Sequence, residues 1–172
     1  MELGTILVRG TIAASLAAYT AAEWLRIRGS ERSAGRARAL WTIGAILAVA
    51  HTGLAFHLRY NWSHGAASAD GAAQIAAVMG WGWEGAPYVN YVFLSLWAAD
   101  AARWWVQGAA SARDRLRTAM SALALFMFFN GAVIFARGWY IRTLGIVSAV
   151  IVLAAGALSG GRAPWYRGRP ND

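Results

Sequence analysis

Apolar runs of about twenty residues recur along this chain, separated by shorter polar stretches, and each run has the length a helix needs to cross a bilayer. Five segments fit: about Leu3 to Leu25, Leu40 to Tyr60, Tyr88 to Val106, Thr118 to Ala136 and Tyr140 to Leu158. The first carries small residues at four-residue spacing, Gly10, Ala14, Ala18 and Ala22, a stripe that lets helix backbones approach in lipid. Residues 26–38, RIRGSERSAGRAR, read as a polar loop. Connection 61–87 is longer and rich in Gly and Ala; within it DGAAQIAAVMG predicts a short surface helix capped by Asp70. Loop 107–117, a tight turn around Gly138 and a polar tail complete the chain. The expected fold class is all-α: a five-helix transmembrane bundle forming one domain over residues 1–160, with 161–172 a basic cytoplasmic tail.

The charges give this bundle a direction. Loop 26–38, the Arg103–Arg117 region and the tail hold twelve of the sixteen Arg, and with five spans these regions share one side. The positive-inside bias makes that side the cytoplasm, with the N-terminus and connection 61–87 outside. Trp24, Trp41, Trp104 and Trp105 then fall at inner helix ends, and Trp62, Trp81, Trp83 and Trp139 at outer ones, as aromatic belts would. Trp97 alone is near mid-membrane. No basic residue precedes the first run, so it reads as a retained helix rather than a cleaved signal.

Composition agrees: 58% of the 172 residues are apolar and only 14% charged, against about 45–50% apolar in soluble domains. The net charge of +8 follows from Arg clustered at membrane ends and needs no nucleic-acid partner. With no cysteine, disulfides, thiolate metal sites and Cys nucleophiles are excluded. No phosphate-binding Gly-rich loop or Ser–His–Asp set is present.

The candidate chemistry lies in Ala50 to Gly65, AHTGLAFHLRYNWSHG, which holds all three histidines, His51, His57 and His64. On a helix continued through this stretch, His57, Asn61 and His64 share a face and His51 is turned about 120° away. Three histidines therefore cannot meet one metal from a straight helix; His57 and His64 can if the chain bends near Trp62. Segment three supplies partners. Asn90 and Tyr91 fall at the level of His57 and Tyr60, and Asp100 about 5 Å below His51. An intramembrane carboxylate needs a partner, and His51 or Arg103 is the candidate. Arg9, Arg59, Arg137 and Arg142 ring the outer side, where lipid phosphate, an anionic ligand or an acidic partner surface would meet them; for Arg9 the plainer role is a snorkelling anchor.

Several readings compete. His51, His57, His64 and Asp100 are the donor types of a transition-metal site, although no HxxxH or HExxH spacing occurs. Haem ligation lacks the facing histidine each haem needs. A single-histidine pigment site would suit the small residues around His51, and a His51–Asp100 pair would suit proton handling. The bland alternative makes all of these interhelical hydrogen bonds worth about 1 kcal/mol or less each.

The runs AHTGLAFHLRYNWSH and YVNYVFLSLWAAD, covering about a third of the chain, resemble uncharacterised bacterial multi-pass membrane proteins with an H…AFH…WSH…YxNY…WxxD pattern. The resemblance implies a recurring arrangement and no activity. The expectation is thus a multi-pass protein of a bacterial inner membrane. Between spans 2 and 3 it carries an outward-facing polar pocket in which His51, His57, His64 and Asp100 handle a metal, proton or small ligand, with Asn90, Tyr60 and Tyr91 positioning that ligand. The alternative is an accessory or assembly subunit of a larger membrane complex, meeting a membrane-protein partner or a second copy, with the same residues structural. Neither reading decides whether the protein is an enzyme.

Overall fold

The computed structural model describes residues 3–28, 31–108, 114–136 and 138–159, and every regular element among them is helical. The helices are α1 (Leu3–Arg28), α2 (Glu31–Tyr60), α3 (His64–Met79), α4 (Ala86–Gln107), α5 (Arg115–Phe129), which continues as a π-helical turn over Asn130–Ile134, and α6 (Trp139–Ser159). Four are long and apolar enough to cross a membrane: α1, α2 from Ser33, α5 with its π turn, and α6. The 22-residue α4 is not among them. Asn90, Asp100 and Arg103 dilute its apolar content, and its exposed face is nonetheless apolar, with Val89, Val92, Leu96 and Val106.

The stretch 26–38, expected as a loop, is helical except for 29–30, which lie outside the described residues. Arg, Ala and Glu are good helix formers, so both helices run past their apolar parts. The expected surface helix also starts earlier. Ser63, in extended conformation, caps α3 by accepting the Ala66 amide at 3.2 Å, and Asp70 lies inside the helix rather than at its start. The last segments match their expected positions, with Gly138 between them. The tail 161–172 lies outside the described residues.

Five helices close a ring: α1 packs on α2 and α6, α2 on α4, α4 on α5, and α5 on α6, while α3 lies against α2 and α4. The small-residue stripe of α1 splits. Ala18 and Ala22 are buried and Gly10 and Ala14 exposed, because the buried face steps by seven from Val8 to Ser15, by four to Tyr19, and from Tyr19 by three to Ala22 and by four to Glu23, which keeps one seam inward. Along that seam Ser15 Oγ donates to the Gly44 carbonyl at 2.8 Å. A Cβ at Gly44 would stand 3.0 Å from the Trp97 ring, a tight contact that the ring would have to ease by a few tenths of an ångström.

At mid-height four rings close on one another: Tyr19 from α1, Trp41 from α2, Trp97 from α4 and Phe128 from α5. Their centroids are 5.9 Å apart for Tyr19–Trp41, 5.0 Å for Trp41–Trp97, 5.7 Å for Trp97–Phe128 and 5.2 Å for Phe128–Tyr19. Tyr19, Trp41 and Trp97 have no exposed surface. This aromatic plug fills the ring and divides the bundle into two polar ends.

Candidate functional site: a cavity and a buried ion network

Above the plug the helices diverge around a cavity of about 740 Å³. It is reached by the first half of α1, the last third of α2, the start of α4, the π turn and the start of α6, with α3 and Trp83 at one side. Its base is apolar, built from Leu16, Ala48, Phe93 and Phe128. Its polar groups stand higher: Arg9, His51, Thr52, Arg59, Tyr60, Gln74, Asn90, Asn130 and Tyr140. Asn90 Nδ2 donates to Thr52 Oγ1 at 3.2 Å, linking α4 to α2. His51 Nδ1 lies 2.9 Å from the Val8 carbonyl, which makes Nδ1 the protonated nitrogen and leaves Nε2 an acceptor. Tyr60 donates to Asp70 Oδ2 at 2.6 Å, and Gln74 Nε2 donates to the same oxygen at 2.9 Å. Asp70 thus stands behind the wall and fixes two groups on it. Asn130 opens the π turn and donates to the Phe126 carbonyl at 2.8 Å. Such turns inside α-helices occur often at functional sites because they re-aim the residues after them.

The cavity gathers four of the seven residues singled out from sequence, His51, Tyr60, Asn90 and Tyr91. The other three lie elsewhere. His57 is exposed, with its ring 6.1 Å from that of Trp62. The helix assumed to carry His57 and His64 together ends at Tyr60. Asn61 and Trp62 take left-handed φ of 46° and 61°, and the Trp62 amide reaches back to the Phe56 carbonyl at 2.9 Å. His64 therefore starts a new helix, stacked among Tyr88, Tyr91 and Phe56 at 5.0, 5.8 and 6.3 Å, with Nδ1 3.3 Å from Ser68 Oγ. Asp100 lies beyond the plug. His51 is ten residues above Trp41 on α2, and Asp100 three below Trp97 on α4, so the two are about 20 Å apart along the axis. The expected His51–Asp100 proximity does not hold, and the four candidate metal donors do not converge. Among the described residues no group of three or more His, Asp or Glu is placed to hold a metal ion. Of the outer Arg ring, Arg9 and Arg59 reach the cavity and Arg142 Nε donates to the Ala136 carbonyl at 2.9 Å; Arg137 lies outside the described residues.

Below the plug is a charge network that the sequence reading missed. The Arg117 guanidinium is fully buried and forks between two helices, Nη1 to Asp100 Oδ2 at 3.0 Å and Nη2 to Glu23 Oε1 at 3.1 Å. It is held between two indoles, Trp41 at 3.4 Å and Trp104 at 4.6 Å, an arrangement a planar cation favours. Trp41 and Trp104, expected in an interfacial belt, are interior for this reason. Arg26 pairs with Glu23 at 2.6 Å, and Arg103 with Asp100 at 3.0 Å and with Asp114. The Asp100–Arg103 contact is one of the two expected. Glu23 and Arg117 sit at the ends of apolar runs, where a charge suits the membrane interface. Their seams carry the signal: Glu23 continues the buried face of α1, and Arg117, Ser121, Ala124 and Phe128 step by four, three and four on α5.

Asp114 caps α5 by accepting the Arg117 amide at 2.7 Å. The hydrogen bond from Arg103 holds its carboxyl below the usual range, with the Arg117 amide helping and burial opposing. A carboxyl depressed in the fold stabilises it above its unfolded pKa, and that contribution is lost as pH falls through the folded value. The Asp114 contribution to thermal stability in detergent is therefore expected to be lost below about pH 4, and Asp114→Asn should shrink the fall there. An equal fall in the variant would rule Asp114 out as its source.

Compared with known proteins, the chain matches no family model, no curated protein and no solved structure.

Proposed function

We propose that this is a multi-pass protein of a bacterial inner membrane whose cavity binds a small ligand from the outer side. Five helices, α1, α2, α4, α5 and α6, would cross the bilayer, with the N-terminus out and the C-terminus in. Two features support α4 as the fifth span. Asn90, Asp100 and Arg103 all find partners on neighbouring helices, the flanking loop or their own helix, and the exposed face is apolar. The Arg-rich ends of α1, α2 and α5 support the orientation.

The observation that carries the ligand reading is the cavity closed by the plug. A site with His51, Tyr60, Asn90 and Tyr91 on its walls can hold a molecule, and four packed rings stand between it and the opposite end of the bundle. This favours binding over conduction. It also separates His51 from the carboxylates a relay across the membrane would use. Native mass spectrometry of protein released from its own membrane tests the reading. The wild type should carry a small molecule that Ala55→Trp, which fills the cavity from α2, does not retain. Identical ligand content in the two would contradict it.

A further inference from the structure

The cavity is amphipathic in a particular order. Its base, Leu16, Ala48, Phe93 and Phe128, has no polar side chain. Among the described residues the charged side chains on its walls are cationic, Arg9 and Arg59, and no Asp or Glu lines it. Asp70, the carboxylate behind the wall, is engaged by Tyr60 and Gln74. Arg59 is exposed at the end of α2, and the mouth also carries exposed apolar surface at Val89. An aqueous anion alone would leave the apolar base unfilled, and a purely apolar guest would make no use of the positive charge on the walls.

Resting on the cavity reading above, we infer that the ligand is an amphiphile with one anionic head, a phosphate or carboxylate, joined to an apolar chain. The head meets Arg59 and Arg9, and the chain lies over Phe93 and Phe128. Charge complementarity selects the head, and about 740 Å³ lies within the range of small-molecule sites, about 300–1,000 Å³.

The test uses the full chain in phosphatidylcholine nanodiscs with radiolabelled dodecyl phosphate, against empty nanodiscs. Saturable binding is expected, competed by unlabelled dodecyl phosphate and by dodecanoate, and not by inorganic phosphate or dodecyl maltoside. Arg59→Gln should weaken it about tenfold or more, the scale of one charge-assisted hydrogen bond. Arg36→Gln, at the far end of α2, should leave it unchanged. Equal competition by inorganic phosphate would make this a free-anion site and overturn the inference. Equal competition by dodecyl maltoside, or an unchanged Arg59→Gln, would overturn the anionic head. In either case Ala55→Trp, checked for native helicity, separates the two levels. If it abolishes binding, the cavity reading survives without the anionic amphiphile; if it binds as the wild type does, the cavity reading falls as well.

Discussion

Arg117→Ala is expected to destabilise the bundle by about 3–5 kcal/mol, the scale for removing one partner of a buried ion pair. The side chain is fully buried and bridges Glu23 on α1 to Asp100 on α4 from its own place on α5. Its loss leaves Glu23 with Arg26 alone and Asp100 with Arg103 alone, and leaves a void between Trp41 and Trp104. Arg117→Lys should recover only part of the loss, because an ammonium is a point charge that cannot fork to two carboxylates while lying flat between two indoles. The combination Arg117→Met, Glu23→Gln, Asp100→Asn should recover more, since orphaned charge rather than lost attraction is the larger cost. Unfolding in a mixed-detergent titration, followed by Trp fluorescence, measures all three. A loss below about 1 kcal/mol for Arg117→Ala would place the network among contacts of exposed-pair strength.

Trp97→Ala should cost about 3–5 kcal/mol by cavity formation. Trp97 packs against Trp41, Phe93 and Phe128 and faces Gly44, and stiff rings of this kind relax little into a void. Its indole Nε1 has no hydrogen-bond partner, so Trp97→Phe should cost distinctly less. The same variant removes one quarter of the plug and should let water from the cavity reach the network. Solvent-exchange protection of the Trp41 and Trp104 indole N–H groups is therefore expected to fall in Trp97→Ala and to hold in Trp97→Phe. Equal protection in both would mean that the plug is not what keeps the two ends apart.

The two ends differed in how far they could be read from sequence. The apolar runs marked the helices well, since length and composition are local properties. The inward placement of Asn90 and Asp100 also followed, because a polar group in an apolar run must find a partner. Contact across the bundle was not legible. Glu23 and Arg117 are 94 residues apart, and each resembles a charge ending a span. Trp41 and Trp104 were misread for the same reason, as an indole near a helix end suits an interface until a buried cation claims it. The histidine cluster failed differently. A helical wheel continued through Asn61 and Trp62 passes where the backbone turns left-handed, and the roughly 5 Å expected between His51 and Asp100 fails because the register between α2 and α4 is fixed by Trp41 meeting Trp97, a contact no single segment announces. What remains of the cluster is one histidine in the cavity, one on the surface and one at the start of α3.

Thiol labelling measures the central claim most directly, because the chain has no cysteine and any introduced one is the sole target. Asn90→Cys, in the cavity, should react with a membrane-impermeant maleimide added outside intact cells. Gln107→Cys, at the opposite end of α4, should react only after the membrane is permeabilised. Labelling of Gln107→Cys from outside, with Asn90→Cys protected until permeabilisation, would contradict an outward-opening cavity closed toward the cytoplasm.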